Sequence, residues 1–113
     1  MSRSERDWRL YADDIVEACA KIRRYVEGVS YDAFVVDDRT RDAVLRNIEV
    51  IGEAAKKLPA EETSRAPDIE WRKVCDMRNL VAHEYFGIDL RIVWNVATTK
   101  LSDLEKAVRM LRG

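Results

Sequence analysis

The chain has 113 residues, a common length for one domain, and 47% of them are apolar while 36% are charged. The 20 Lys and Arg residues are balanced by 21 Asp and Glu, and the net charge of -1 excludes the broad basic surface of a non-specific nucleic-acid binder. Any contact with RNA must be local. With only four Gly and two Pro, the composition favours helices, and we expect one domain over residues 1–113.

The first helix is predicted from a variant capping box, Ser4 followed by Asp7, and from an apolar stripe that runs from Trp8 to Tyr25. It should end near Gly28. In the passage that follows, Ser30 is placed to cap one brief turn.

The second helix is predicted over 38–58, where Pro59 stops it. Its apolar stripe consists of Val44, Ile48, Ile51, Ala55 and Leu58. The connection "PAEETSRAPDIE" has room for one helical turn around "AEETSR". A third helix should run from Glu70 to about Gly87. The last helix should run from about Asp89 nearly to the C-terminus, with an apolar stripe of Leu90, Val93, Ala97, Leu101, Leu104, Val108 and Leu111.

These stripes predict an all-α fold, an antiparallel up-and-down bundle of four to five helices. The first and last helices, each of about 24 residues or roughly 36 Å, would exceed the third. Part of their apolar length could therefore serve a partner chain.

No apolar run approaches a membrane span and the N-terminus lacks a signal-peptide core, which predicts a cytoplasmic protein without membrane contact. Cys19 and Cys75 are isolated and read as reduced core residues. We expect no metal site and no cofactor. The tryptophans are predicted to lie in the core or an interface: Trp8, Trp71 and Trp94.

The stretch "MRNLVAHEYFG" contains the single histidine, His83, together with Arg78, Asn79 and Tyr85. On an uninterrupted helix Asn79 and His83 lie one turn apart, whereas Arg78 and His83 are about 140° apart. Arg78 and His83 can converge if the arginine reaches round, if the helix loosens, or if two copies of the motif face each other.

Two interpretations of this polar cluster remain open from the residues alone. A histidine in a last helical turn interacts favourably with the helix dipole, and Tyr85 and Phe86 could close the bundle. Alternatively, an imidazole can transfer protons in RNA cleavage while a guanidinium binds the phosphate. Because efficient cleavage needs both an acid and a base, one histidine per chain favours a two-fold dimer that apposes two motifs.

Arg78, Asn79, His83 and Tyr85 reproduce the R-N-x-x-x-H-x-Y motif of HEPN-domain ribonucleases. The chain resembles the HepT toxins, formerly a DUF86-type domain of unknown function, over essentially its whole length. The surrounding "IEWRKVCDMRNLVAHEYFGIDLRIVW", the segment "VIGEAAKKLP" and the long terminal helix carry this resemblance.

The resemblance implies a HEPN-like bundle that dimerises and acts as a metal-independent RNA endonuclease, the toxin of a type VII-like toxin-antitoxin pair. By position, Arg78 would bind the phosphate, His83 would act as general acid or base, and Asn79 would orient either group. The family's antitoxin, a minimal nucleotidyltransferase, would neutralise the toxin by attaching AMP to the tyrosine that corresponds to Tyr85.

A different class of function also fits, namely a non-catalytic helical module that docks a nucleotidyltransferase partner. The presence of both Arg78 and His83 favours the nuclease, since a docking module would not need both. A plain structural bundle with a polar helix end is the third possibility.

Overall fold

The structure, a computed structural model, describes residues 6–79 and 89–113. Within these ranges the secondary structure is helical and includes no strand. The elements are α1 (Trp8–Val26), α2 (Tyr31–Val36), α3 (Asp38–Ala55), α4 (Ala60–Thr63), α5 (Trp71–Cys75), α6 (Leu90–Asn95), a π-helical turn (Val96–Lys100) and α7 (Leu101–Arg112).

Helix α1 lies at the centre of the bundle and packs against both α3 and α7. Ion pairs show that α1 and α7 run antiparallel, because Asp13 near the start of α1 meets Arg112 while Arg23 near its end meets Glu105. Fully buried side chains from several helices fill the space between them: Ile15, Ile22, Phe34, Val44, Ile48, Ile51, Val93 and Val108. The predicted all-α antiparallel bundle is confirmed.

Each of the first three helices begins at a side chain that accepts a backbone N–H. Asp7 caps α1 through the N–H of Arg9 (3.0 Å), Ser30 caps α2 through that of Ala33 (3.1 Å), and Asp37 caps α3. The predicted role of Ser30 is confirmed. The capping residue of α1 is Asp7 itself, and with 19 residues the helix is shorter than predicted.

The predicted end of α3 was three residues too late. The helix ends at Ala55, and Leu58 donates its N–H to the Ala55 carbonyl (3.2 Å) in a tighter turn. Leu58 nevertheless stays buried, because the turn keeps its side chain against the core. The single turn predicted around "AEETSR" is present as α4.

The last helical stretch runs without a break from Leu90 to Arg112, as predicted, but one of its turns is π-helical. Two threonine hydroxyls lie at this turn: Thr98 donates to the Trp94 carbonyl and Thr99 to the Asn95 carbonyl, each at 2.7 Å. These hydroxyl groups supply hydrogen bonds to backbone carbonyls where the α-helical i to i+4 backbone hydrogen bonds change to the i to i+5 bonds of a π-helix.

Glu105 is the one charged residue buried in the described part of the chain. Its carboxylate binds Arg23 of α1 and Arg109 one turn further along α7 (3.0 Å to Nη2). Because a buried carboxylate needs such partners, this cluster ties α1 to α7 at a fixed register. The sequence pattern did not indicate it.

The three tryptophans pack partly buried against the core, as predicted. Trp94 lies against Phe34 with ring centroids 5.0 Å apart, which joins α6 to α2. In the described residues no helix is both long and apolar enough to cross a membrane.

Candidate active site

The first motif residue, Arg78, lies three residues beyond the end of α5 with 58% of its side chain exposed. Its Nε atom is 2.9 Å from Oε1 of Glu53 on α3, and the Glu53 side chain is 49% exposed. The guanidinium is therefore accessible to solvent and is paired with a carboxylate from another helix.

The backbone around Arg78 approaches α3 closely at Gly52. A Cβ atom at residue 52 would lie 3.0 Å from the Arg78 nitrogen and 3.4 Å from the Cys75 carbonyl oxygen. Glycine therefore permits a contact between two backbones that most side chains would push apart. This close approach sets where Arg78 emerges from the bundle.

The expected uninterrupted helix from Glu70 is wrong at Asp76. Helix α5 covers Trp71–Cys75, a turn follows at Asp76, and helical backbone resumes over residues 77–79. The Asn79 N–H donates to the Asp76 carbonyl (2.8 Å) rather than to a carbonyl four residues back. The angle of about 140° between Arg78 and His83 stays a prediction, because the turn at Asp76 precedes both residues and His83 lies outside the described residues.

Asn79 is exposed next to Arg78 at the edge of the described residues. His83 and Tyr85 lie outside the described residues, as does the predicted helix end at Gly87. The structure therefore places Arg78 and Asn79, and it brings Arg78 together with Glu53, a residue that the sequence motif does not include.

An open cleft of about 330 Å³ lies beside Arg78, between residues 68–77, which include α5, and the last helical stretch. Met77 lines it on one side, and Val96 and Lys100 line it on the other. Lys73 and Glu70, paired at 2.8 Å, also line it, and this pairing lowers the pKa of the Glu70 carboxyl. Acidic and basic side chains are mixed along the walls, so the cleft does not select one sign of charge.

The two cysteines are not suited to nucleophilic chemistry. Cys19 is buried in the bundle, and burial raises the pKa of its thiol to about 12. Burial also raises the pKa of Cys75. Both thiols are therefore protonated near neutral pH. Cys19 is a core residue, as predicted, whereas Cys75 is half-buried and packs against the core.

The family model described as "Ribonuclease HepT-like" matches residues 15–111 of this chain. The chain belongs to the HepT-like ribonuclease family. The resemblance seen in the motif and its surroundings is thereby confirmed, and the matched range includes Gly52, Glu53 and the whole segment from Arg78 to Tyr85.

Three proteins similar to this chain carry ribonuclease names. "Probable ribonuclease HepT" of Thermococcus cleftensis is 35% identical over 112 residues, which cover 99% of each chain. "Putative RNase TTE0752" of Caldanaerobacter subterraneus subsp. tengcongensis is 36% identical over 101 residues, covering 89% of this chain and 90% of the relative. "Putative RNase MJ0127" of Methanocaldococcus jannaschii is 31% identical and covers 96% of this chain and 93% of its own. No solved structure matches this HepT-like chain significantly.

Sequence reasoning missed Glu53 and Gly52 as parts of the site. The available signal was Gly52, since a glycine inside a helix costs about 1 kcal/mol relative to alanine and so calls for a packing reason. The neighbour that explains it, the backbone at Arg78, is distant in sequence.

Proposed function

We propose that this protein is a metal-independent RNA endonuclease and the toxin of a type VII-like toxin-antitoxin pair, acting in the cytoplasm. The observation that carries this proposal is the family match over residues 15–111, which contains the complete motif from Arg78 to Tyr85. The exposed position of the Arg78 guanidinium supports it, because a phosphate-binding arginine must be reachable from solvent.

In the proposed reaction the 2′-hydroxyl of RNA attacks the adjacent phosphorus as a base removes its proton. The P–O5′ bond breaks, and an acid protonates the departing 5′-oxygen, which leaves a 2′,3′-cyclic phosphate and a 5′-hydroxyl. His83 acts as the acid or the base, Arg78 binds the non-bridging phosphate oxygens and stabilises their added charge, and Asn79 orients either group. The imidazole and guanidinium supply these roles without a metal ion.

A homodimer is part of this proposal. The chain has one histidine, whereas the reaction uses both an acid and a base. A two-fold axis beside the motif would bring two copies of His83 and two of Arg78 into one cleft. The near-neutral net charge is compatible with such a site, because the RNA contact is then concentrated in the cleft rather than spread over the surface.

We expect that the purified protein cleaves a mixed RNA substrate in excess EDTA, and that the activity elutes with a species of two chains. The test combines size-exclusion chromatography and light scattering with a cleavage assay across the eluted peak. A fully active species of one chain would contradict the composite site. Loss of cleavage in EDTA, with recovery on adding a divalent metal, would contradict metal independence.

The proposed antitoxin is a cognate minimal nucleotidyltransferase that attaches AMP to Tyr85. A bulky anionic group two residues from His83 would block the composite cleft of the proposed dimer and repel RNA phosphates. A near-neutral chain that docks such an enzyme without cleaving RNA is the alternative, and cleavage assays separate the two.

Co-expression with a nucleotidyltransferase encoded beside this protein should add the mass of AMP and suppress cleavage. Intact-mass spectrometry measures the addition, and Tyr85→Phe should abolish it. Tyr11→Phe serves as a control, since that tyrosine lies on α1 in the bundle. A mass increase that persists in Tyr85→Phe would show that the acceptor is another residue.

A further inference from the structure

Glu53 lies on α3 within the segment "VIGEAAKKLP", which the proposed reaction leaves without a role. Its Oε1 atom is 2.9 Å from Nε of Arg78. Both side chains are about half exposed, so the pair lies at the surface where a ligand can reach the arginine. Glu53 is the acidic partner that the structure gives to the motif arginine.

The preceding residue, Gly52, contacts the backbone of the same arginine. The 3.0 Å that would separate a Cβ at residue 52 from the Arg78 nitrogen shows how near α3 lies to this backbone. Two successive residues of α3 therefore act on Arg78 in different ways. Gly52 lets the Arg78 backbone approach α3, and Glu53 then reaches the side chain.

We propose that Glu53 is a positioning residue for Arg78, holding the guanidinium in the orientation that receives the RNA phosphate; this rests on the proposed nuclease function. A carboxylate at Nε leaves the opposite edge of the planar guanidinium, formed by Nη1 and Nη2, directed away from Glu53. That edge stays available to bind two phosphate oxygens at once. Arginine has a long flexible side chain. Holding one edge of its guanidinium in place therefore reduces the conformational entropy that the side chain loses when the substrate binds.

Two other roles for the pair make different predictions. An exposed ion pair that only stabilises the fold contributes little, so its loss would leave cleavage unchanged. A carboxylate that competes with phosphate for Arg78 would inhibit, so its removal would raise activity. A positioning role predicts lower activity without a matching loss of thermal stability.

The test compares Glu53→Ala and Glu53→Gln with Glu49→Ala, a control one turn earlier on α3 whose carboxylate pairs with Arg46 at 2.6 Å. Glu53→Ala should lower kcat/KM for RNA cleavage by about 10- to 100-fold, by analogy with the loss seen when the partners that orient metal ligands are removed. Glu53→Gln should lose less, since its amide oxygen can still face Nε. The melting temperatures of both variants should move no more than that of Glu49→Ala.

A double variant tests whether Glu53 acts through Arg78. In an Arg78→Ala background, adding Glu53→Ala should cause no further loss of cleavage, because the side chain to be positioned is gone. Additive losses would overturn the proposal, as would unchanged or increased cleavage by Glu53→Ala alone.

A readout independent of activity separates this inference from the nuclease proposal. The Nε–Hε resonance of Arg78, assigned from its disappearance in Arg78→Lys, should shift in Glu53→Ala and stay in place in Glu49→Ala. An unshifted resonance would overturn the positioning role even in an active enzyme. If the resonance depends on Glu53 but the wild type does not cleave RNA, the ion pair exists in solution and the proposed nuclease function is wrong. The catalytic role proposed for Glu53 then fails with it.

Discussion

Replacing His83 by alanine is expected to lower RNA cleavage by about 10²- to 10⁴-fold, the usual effect of losing a proton-transfer group. The loss should appear in the cleavage step, because in the proposed reaction the imidazole acts on the 2′-hydroxyl or on the departing 5′-oxygen and contributes less to binding. Single-turnover cleavage of a mixed RNA at saturating enzyme measures that step directly. Growth inhibition by the expressed protein should disappear in parallel.

Added imidazole provides a control for the His83→Ala result. If the lost group transfers protons, exogenous imidazole should restore part of the cleavage by the variant and leave the wild type unaffected. Thermal melts of both proteins establish that the variant is folded. Cleavage at wild-type levels by His83→Ala would remove the nuclease assignment and favour the docking module.

Arg78→Ala is expected to reduce cleavage by about 10²- to 10³-fold, because in the proposed reaction the guanidinium stabilises charge that builds up on the phosphate. Stability should change by no more than about 1 kcal/mol, since the ion pair with Glu53 is half exposed and screened by solvent. The measurements are kcat and KM for RNA cleavage together with thermal melts.

Arg78→Lys is the informative companion variant. Lysine keeps the positive charge but lacks both Nε and the two-nitrogen edge, so it should recover only a small part of the lost activity. Full activity in Arg78→Lys would show that charge alone is required and would contradict bidentate phosphate binding. Unfolding of both Arg78→Ala and His83→Ala would instead support a purely structural role for the polar cluster.

The long helices and their buried faces could be predicted from the sequence because apolar spacing directly reflects burial. Every apolar residue assigned to the face of the second helix is buried: Val44, Ile48, Ile51, Ala55 and Leu58. In the last helix the residues of the predicted stripe are buried from Val93 to Leu111, while Leu90 at its start is half-buried. Local periodicity carries this information without reference to the rest of the chain.

Features that depend on contacts between distant residues could not be predicted in this way. Glu105 looks like an ordinary surface glutamate until Arg23 is placed opposite it. The turn at Asp76 and the pairing of Arg78 with Glu53 likewise depend on where α3 passes, near Gly52. The motif predicts which residues carry the chemistry, whereas the surroundings of Arg78 depend on α3, a helix that the motif does not contain.

The π-helical turn at Val96–Lys100 bears on how the length of this protein can vary among relatives. A π turn accommodates about one residue more than an α turn, so losing one residue there would yield an ordinary α turn with the flanking helices still facing the same way. The same loss elsewhere in the last helix would rotate everything beyond it by about 100° and turn Val93 or Val108 away from the core. Natural single-residue deletions in this helix should therefore concentrate at this turn, where Trp94 can remain on Phe34 while Leu104 stays buried.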